Sequence, residues 1–197
     1  DEQSLKKFEN FEFYTDVDYT TGLEARIKSY DEDEPETLKW IEGFPSKSIF
    51  YDIGSNIGGF SFYTSMLHKD SKVYSFEPNF VNFYTQQKTI LKNNIKNVHA
   101  YNIAINDFSC ENDFYYTSFE AGYKGTFGKE LQNQMRKSQW GNPWKKSQQT
   151  GVSTLGISLD TLIYDMKLRP PTHIKVDVDG NDLLVLKGAS KFLSNNN

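Results

Sequence analysis

The sequence predicts an α/β fold in which helices cover both faces of a mostly parallel β-sheet. Short apolar segments alternate with segments of helical periodicity, which is the pattern of β-α-β units. The turn after the first apolar segment, residues 52–59, contains three glycines and opens directly into a helix. The second apolar segment ends at Glu77, 25 residues after Asp52. This layout is typical of nucleoside-binding α/β domains, although the Gly-x-Gly-x-x-Gly pattern of dinucleotide sites is absent.

The first half of the chain supplies three strands and three helices in strict alternation. Pro35 can open a short helix at 36–42, and the first strand follows at about 48–53. The next helix, at about 58–68, places its large apolar side chains on one face. A second strand, a helix and a third strand follow at about 72–77, 81–93 and 97–103.

The second half is less regular. We expect strands at about 112–117, 151–159 and 172–178, a short helix at 160–166 and a last helix at about 182–193 that begins after Asn181. The chain then stops at three asparagines, where a doubly wound sheet would continue with another strand. We therefore expect the fold to be truncated at its C-terminus, with further residues beyond 197 in the full protein.

Residues 118–150 differ in kind from the rest of the chain. They are rich in Gly, Gln, Asn, Ser and Lys and show no apolar period, although they include Trp140 and Trp144. Such a long insertion is usually functional or disordered. We hypothesise a lid that binds the acceptor through its tryptophans and its cations, which are Lys129, Arg136, Lys137, Lys145 and Lys146. A solvated insertion without such a role is the alternative.

Length and composition exclude several classes of protein. A chain of 197 residues can bury a sizeable core, and 15% aromatic residues offset a hydrophobic content of only 37%. No apolar run approaches the roughly 20 residues of a membrane helix, so no membrane span is predicted. The single cysteine, Cys110, predicts no internal disulfide and agrees with a cytoplasmic location.

The charge is unevenly distributed. The net charge is −4, and residues 1–37 contain 12 acidic and 4 basic side chains. We interpret residues 1–34 as an acidic, solvated N-terminal segment and residues 35–197 as the domain. This balance gives no support for a nucleic-acid partner.

Three motifs in this order resemble the FkbM family of S-adenosylmethionine-dependent methyltransferases. They are the segments 52–58 (Asp-Ile-Gly-Ser-Asn-Ile-Gly), 76–78 (Phe-Glu-Pro) and 174–180 (Ile-Lys-Val-Asp-Val-Asp-Gly), the last followed by Leu-Lys-Gly-Ala at 186–189. The resemblance covers about residues 36–193. The family commonly has Glu where Asp179 stands here.

The resemblance implies a Rossmann-like class I methyltransferase fold and S-adenosylmethionine as the cofactor. Asp52 and the main-chain N–H groups of 54–58 would face the methionine half of the cofactor, Glu77 would accept both ribose hydroxyls, and Ile103 and Ala104 would line the adenine slot. The implied cofactor-binding residues are Asp52, Gly54, Ser55, Asn56, Gly58, Glu77, Ile103 and Ala104. Taken singly, the glycines could be ordinary turn residues and Glu77 a surface carboxylate.

Asp177 and Asp179 are the catalytic candidates. Residues two apart on a strand point to the same face, so both carboxylates could meet above the sheet. One of them could act as a general base for an acceptor hydroxyl, or the pair could hold a divalent metal. The alternative function is a metal-dependent glycosyltransferase with an Asp-x-Asp motif; a carboxylate that caps a nearby helix is the structural explanation.

The family resemblance favours an O-methyltransferase. Its acceptor would be a hydroxyl of a sugar, a polysaccharide or a natural product, and nothing in the sequence selects among these. No metal ligand set is predicted.

Overall fold

A computed structural model describes residues 4–8, 11–15, 33–129, 133 and 151–195, with side chains from residue 33 onward. Within these ranges the strands are β1 (Ser4–Phe8), β2 (Phe11–Thr15), β3 (Ile49–Ile53), β4 (Lys72–Phe76), β5 (Val98–Tyr101), β6 (Ala104–Ile105), β7 (Cys110–Tyr116), β8 (Gly125–Phe127), β9 (Val152–Ile157) and β10 (His173–Val176). The helices are α1 (Pro35–Glu42), α2 (Gly59–Leu67), α3 (Phe80–Lys92), α4 (Asp182–Lys187) and α5 (Ser190–Asn195), with a π-helical turn at Thr161–Asp165.

The main sheet is parallel throughout, in the order β10-β3-β4-β5. The register aligns Asp52 of β3 with Lys175 of β10 on one side and with Ser75 of β4 on the other. All four strands end at the same edge, so the residues that follow them lie side by side. The predicted α/β architecture and the positions of its strands 48–53, 72–77 and 172–178 are confirmed.

Two apolar clusters cover the two faces of this sheet. Side chains alternate along each strand: Phe50 of β3 packs under α1 and α2, whereas Tyr51 packs on the opposite side against Leu162 and Val185. The same alternation separates Val73 from Tyr74 on β4. Helical or turn segments thus close both faces, as a parallel sheet requires.

A second, mixed sheet has the order β6-β9-β7-β8, and it corrects two predictions. The strand predicted at 97–103 ends at Tyr101, and the chain then crosses to the second sheet as β6, which pairs with β9. The predicted insertion 118–150 is not wholly irregular, because Gly125–Phe127 forms β8 and pairs antiparallel with β7. The tryptophans of the proposed lid lie outside the described residues.

The helix predicted at 182–193 is two helices. Gly188 separates them, and a Cβ at this glycine would lie 2.1 Å from the carbonyl oxygen of Asn106. The Gly188 carbonyl also accepts the N–H of Asp160 at 2.8 Å. This close approach to other segments bends the chain and ends α4. In the described part of the chain, no helix has the length and apolar character needed to cross a membrane.

Candidate functional site

A cleft lies where the strands of the main sheet end, and it encloses about 630 Å³ of space including its opening to solvent. The second sheet forms its opposite wall. Its lining includes Ile53, Gly54, Asn56, Glu77, Pro78, Asn82, Ala104, Ile105, Phe114, Tyr123, Lys124, Phe127, Asp177, Asp179 and Asn181.

The glycine turn after β3 serves the protein's own packing. Gly54 has φ +78°, and a Cβ there would lie 2.0 Å from the carbonyl oxygen of Asp177. Gly58 has φ +88°, and its Cβ would meet the ring of Phe62 at 2.8 Å. These glycines therefore allow the turn to touch the segment after β10 and helix α2.

The main-chain N–H groups of this turn were predicted to face the cofactor, but they donate hydrogen bonds within the protein. The N–H groups of Gly54 and Ser55 donate to the carbonyl of Phe76, and that of Gly58 donates to the carbonyl of Ser55. The other two donate to side chains: the Asn56 N–H to Glu77 Oε2 at 2.8 Å, and the Ile57 N–H to Asn56 Oδ1. Because every N–H from 54 to 58 already has a protein acceptor, these groups do not face a ligand as available donors.

Asp52 lies beneath the cleft and not on its surface. Its side chain is fully buried; Oδ2 accepts the Ser61 hydroxyl at 2.7 Å, and Oδ1 has no hydrogen-bond partner among the described residues. Burial raises the pKa of this carboxyl, and the Lys175 ammonium partly opposes the rise. Asp52 is therefore a buried acid with one unsatisfied oxygen.

The ammonium of Lys175 interacts electrostatically with Asp52 and also lies near the carboxylates of Asp177 and Glu34. Its side chain is only 11% exposed, and Nζ lies 3.3 Å from Asp177 Oδ2 and 3.9 Å from Glu34 Oε2. The ammonium also sits 4.8 Å from the ring centroid of Phe60, a cation–π contact. A buried cation at this place compensates the acids at the ends of β3 and β10.

Glu77 lies in the cleft at the end of β4 and is 6% exposed. Its two carboxylate oxygens accept the main-chain N–H groups of Asn56 and Asn79, each at 2.8 Å. Burial raises the pKa of this carboxyl to about 7, although both N–H groups favour its charged form. Each oxygen keeps a second lone pair that a ligand hydroxyl could use.

Ser55 and Ile103 lie away from the cleft surface. The Ser55 hydroxyl accepts hydrogen bonds from Ser75 Oγ at 2.7 Å and from Gln86 Nε2 at 2.9 Å, in a buried network. Ile103 packs on the apolar cluster of the main sheet. Ala104 does line the cleft, beside the unpredicted Ile105.

Asp177 and Asp179 both line the cleft but do not share one strand face. Strand β10 ends at Val176, and Asp179 adopts φ +48° in the turn that follows. Asp177 contacts Lys175, whereas Asp179 Oδ1 accepts from Lys124 Nζ at 2.7 Å. The described residues contain no group of three or more metal-ligating side chains. The pair therefore gives no support to the Asp-x-Asp alternative.

A strap that was not predicted, residues 117–124, joins β7 to β8 and contributes Tyr123 and Lys124 to the cleft lining. Asn82 of α3 anchors it: Oδ1 accepts the Gly122 N–H at 2.7 Å, and Nδ2 donates to the Tyr123 carbonyl at 3.0 Å. Asn181, predicted as an N-cap, makes no capping bond and instead donates to the Phe127 carbonyl at 3.2 Å. Asparagine has no sequence pattern that distinguishes such long-range roles, so nothing in the sequence indicated them.

The fold is that of an α/β domain with a cleft at the carboxyl edge of a parallel sheet, which is where nucleoside cofactors bind in such folds. Residues 52–197 match the family model described as the methyltransferase FkbM domain. The chain therefore belongs to the FkbM methyltransferase family, a family of S-adenosylmethionine-dependent enzymes.

The known proteins that are similar to the chain include a curated fungal protein and a solved bacterial structure. Methyltransferase 1 from Beauveria bassiana (strain ARSEF 2860) is 29% identical over 154 residues, which are 75% of this chain and 61% of that protein. The solved structure of methyltransferase FkbM from Methylobacillus flagellatus KT matches with a TM-score of 0.50 at 18% identity, over 78% of this chain and 32% of that one. The chain thus spans about three fifths of the length of the curated relative.

The residues of the cleft fit S-adenosylmethionine chemically. The cofactor carries positive charge on its sulfonium and ammonium groups, and the described lining residues supply three carboxylates, Glu77, Asp177 and Asp179, against the single ammonium of Lys124. Apolar side chains, including Ile105 and Phe127, offer a surface for an adenine ring. The unsatisfied Oδ1 of buried Asp52 leaves one hydrogen-bond acceptor beneath the turn.

Proposed function

We propose that this domain transfers a methyl group from S-adenosylmethionine to a hydroxyl oxygen of a sugar, a polysaccharide or a natural product. The observation that supports it most is the meeting of Glu77, Asp177 and Asp179 in one cleft at the ends of β4 and β10. Bound there, the cofactor would supply a methyl group that is already activated by its sulfonium.

The chain's own residues would position the reactants and receive one proton. Glu77 would hold the ribose hydroxyls with the lone pairs that its main-chain donors leave open. Asp177 is the better proton acceptor, because its side chain is 42% exposed and lines the cleft. As the carbon–sulfur bond breaks and the acceptor oxygen bonds to the methyl carbon, the hydroxyl proton would pass to Asp177.

Asp179 has a different proposed role. Its carboxylate is already paired with Lys124 at 2.7 Å, across the cleft opening. Because this pair is closer than the 3.3 Å between Lys175 Nζ and Asp177 Oδ2, Asp179 would contribute negative charge near the cofactor and is less well placed than Asp177 to accept a proton. We therefore propose Asp177 alone as the general base.

The cofactor site is tested by measuring the binding of S-adenosylhomocysteine with isothermal titration calorimetry in metal-free buffer. We expect one site per chain, and Glu77→Ala should weaken binding at least tenfold. The absence of binding to the wild-type chain, with the fold intact by circular dichroism, would refute the proposal for this chain.

Methyl transfer from S-[methyl-³H]adenosylmethionine to a panel of glycosides, polysaccharides and phenols would identify the acceptor. Once an acceptor is found, Asp177→Asn should lower kcat at least a hundredfold while the affinity for S-adenosylhomocysteine changes much less. An equal loss from Asp179→Asn, with Asp177→Asn active, would reverse the roles proposed here.

Partner and location follow from composition. The acceptor is proposed to be a small molecule or a saccharide and not a nucleic acid, because the net charge of −4 offers no electrostatic attraction to phosphates. A cytoplasmic location is proposed from the presence of a single cysteine.

A further inference from the structure

The strap crosses the cleft and is fixed at both sides. On the α3 side, asparagine side chains bind its main chain; on the β10 side, Lys124 pairs with Asp179. Tyr123 and Lys124 of the strap line the cleft directly. A ligand in the cleft would therefore lie against this segment.

Three asparagines from separate positions bind the main chain of two neighbouring residues of the strap, Gly122 and Tyr123. Asn82 contacts both, as described above, through the Gly122 N–H and the Tyr123 carbonyl. Asn79 also donates to the Tyr123 carbonyl, at 3.4 Å, and Asn56 donates to the Gly122 carbonyl, at 3.5 Å. Of these contacts, those of Asn82 are the shortest.

Two of these asparagines, Asn56 and Asn79, also contact the acid of the proposed cofactor site. The main-chain N–H groups of Asn56 and Asn79 hold the carboxylate of Glu77, while their side chains reach the strap. The position of the strap is therefore tied, through two residues, to the acid proposed to bind the ribose.

The exposure of Lys124 and of Asn82 indicates which of the two contributes more to holding the strap. The side chain of Lys124 is 47% exposed, and ion pairs of this kind contribute little in water. Asn82 is 1% exposed, so loss of its amide would leave the half-buried Gly122 N–H and Tyr123 carbonyl without their closest partner. The hydrogen bonds of the Asn82 side chain should therefore contribute more to the position of the strap than the Lys124–Asp179 ion pair does.

We infer that Asn82 is a positioning residue that holds the strap over the cofactor and thereby slows cofactor release. This inference rests on the proposed function. The strap does not touch the reacting atoms in this view; it covers the ligand and sets how long it stays bound.

The test compares Asn82→Ala with Asn93→Ala in the whole chain. Asn93 is the matched control because its amide donates to the Thr89 carbonyl at the far end of the same helix. Stopped-flow kinetics with S-adenosylhomocysteine should show a dissociation rate about tenfold faster for Asn82→Ala, with an association rate within about twofold of wild type. That change corresponds to about 1.4 kcal/mol in binding.

Two further measurements keep the test decisive. Hydrogen exchange at the Gly122 amide should accelerate in Asn82→Ala and stay unchanged in Asn93→Ala. If Asn82→Ala does not fold, Asn82→Asp replaces it, since a carboxylate keeps the acceptor for Gly122 but cannot donate to the Tyr123 carbonyl. Lys124→Met should change the dissociation rate by less than about threefold, as an exposed ion pair predicts.

Unchanged dissociation in Asn82→Ala, or an equal increase in Asn93→Ala, would overturn the inference while leaving the proposed function intact. Failure of the wild-type chain to bind S-adenosylhomocysteine would remove both. The two failures are thus distinguishable.

Discussion

Glu77 combines burial with two main-chain hydrogen bonds. Burial outweighs both N–H groups and raises its pKa from 4.5 to about 7. The folded state therefore binds a proton that the unfolded chain releases between these two pH values. Stability from this group is full below pH 4.5 and is lost as the pH rises toward 7.

Glu77→Gln should flatten the dependence of stability on pH. In the wild type, Glu77 should lower the free energy of unfolding by up to about 3 kcal/mol between pH 4.5 and 7. Asp52, whose pKa is also raised, acts in the same direction and should preserve some slope. Urea unfolding at several pH values measures the effect, and an unchanged slope in Glu77→Gln would contradict it.

Gly54→Ala should be severely destabilising, and Gly128→Ala is its control. Both glycines have positive φ, but a Cβ at Gly128 would meet only Asn112 Nδ2, at 3.6 Å, whereas at Gly54 it would overlap the Asp177 carbonyl. We expect a loss of about 1 kcal/mol for Gly128→Ala and at least about 3 kcal/mol for Gly54→Ala. Chemical denaturation of both variants checks this, and similar losses would show that the backbone relieves the overlap.

At the scale of elements, Asp160 connects the π-helical turn to α5. Its two carboxylate oxygens accept the N–H groups of Lys191 and Phe192, each at 2.9 Å. They thereby satisfy two of the donors that a helix leaves open at its start. Helix α5 has only six residues, so these contacts matter for its formation.

Asp160→Ala should lower the free energy of unfolding by about 2 kcal/mol, because two N–H groups lose a charged acceptor. Asp165→Ala is the control, because it removes the same charge from an exposed residue nearby. It should lower the free energy of unfolding by less than about 0.5 kcal/mol. Thermal unfolding would measure both. The affinity for S-adenosylhomocysteine should remain that of wild type in each, since neither residue lines the cleft.

Elements that depend on local sequence could be predicted, and those that depend on distant contacts could not. Strands β3 and β4 and helices α2 and α3 follow from apolar periodicity within each segment. Strand β8 has three residues and exists because β7 pairs with it, and the break at Gly188 exists because Asn106 lies against it. Neither contact leaves a pattern in the segment concerned.

At the scale of the whole molecule, the site is formed by two sheets, and the sequence indicated only one of them. The strand-end rule brought Glu77 and the two aspartates to one edge, whereas Ala104 lines the same cleft from β6 of the second sheet. This rule could not show that the side chains of Asp52 and Ser55 are buried in hydrogen-bond networks, because residues at strand ends can point either into the cleft or into the protein interior. Strands were predicted at about 112–117 and 151–159, which are β7 and β9, but their pairing into a second sheet, strand β8 and the strap depend on long-range contacts and were not predicted.

The charge arrangement across the molecule predicts cofactor binding without metal. Hard cations require several oxygens at one point, but Asp177 and Asp179 each face a different lysine, and no cluster of three ligands occurs in the described ranges. Excess EDTA should therefore leave the melting temperature and the affinity for S-adenosylhomocysteine unchanged. Added Mn²⁺ should neither stabilise the chain nor induce binding of a nucleotide sugar. Calorimetry with both ligands decides it: a requirement for Mn²⁺ would mean that the lysines yield their carboxylates to a metal, and the methyl-transfer proposal would lose its electrostatic basis.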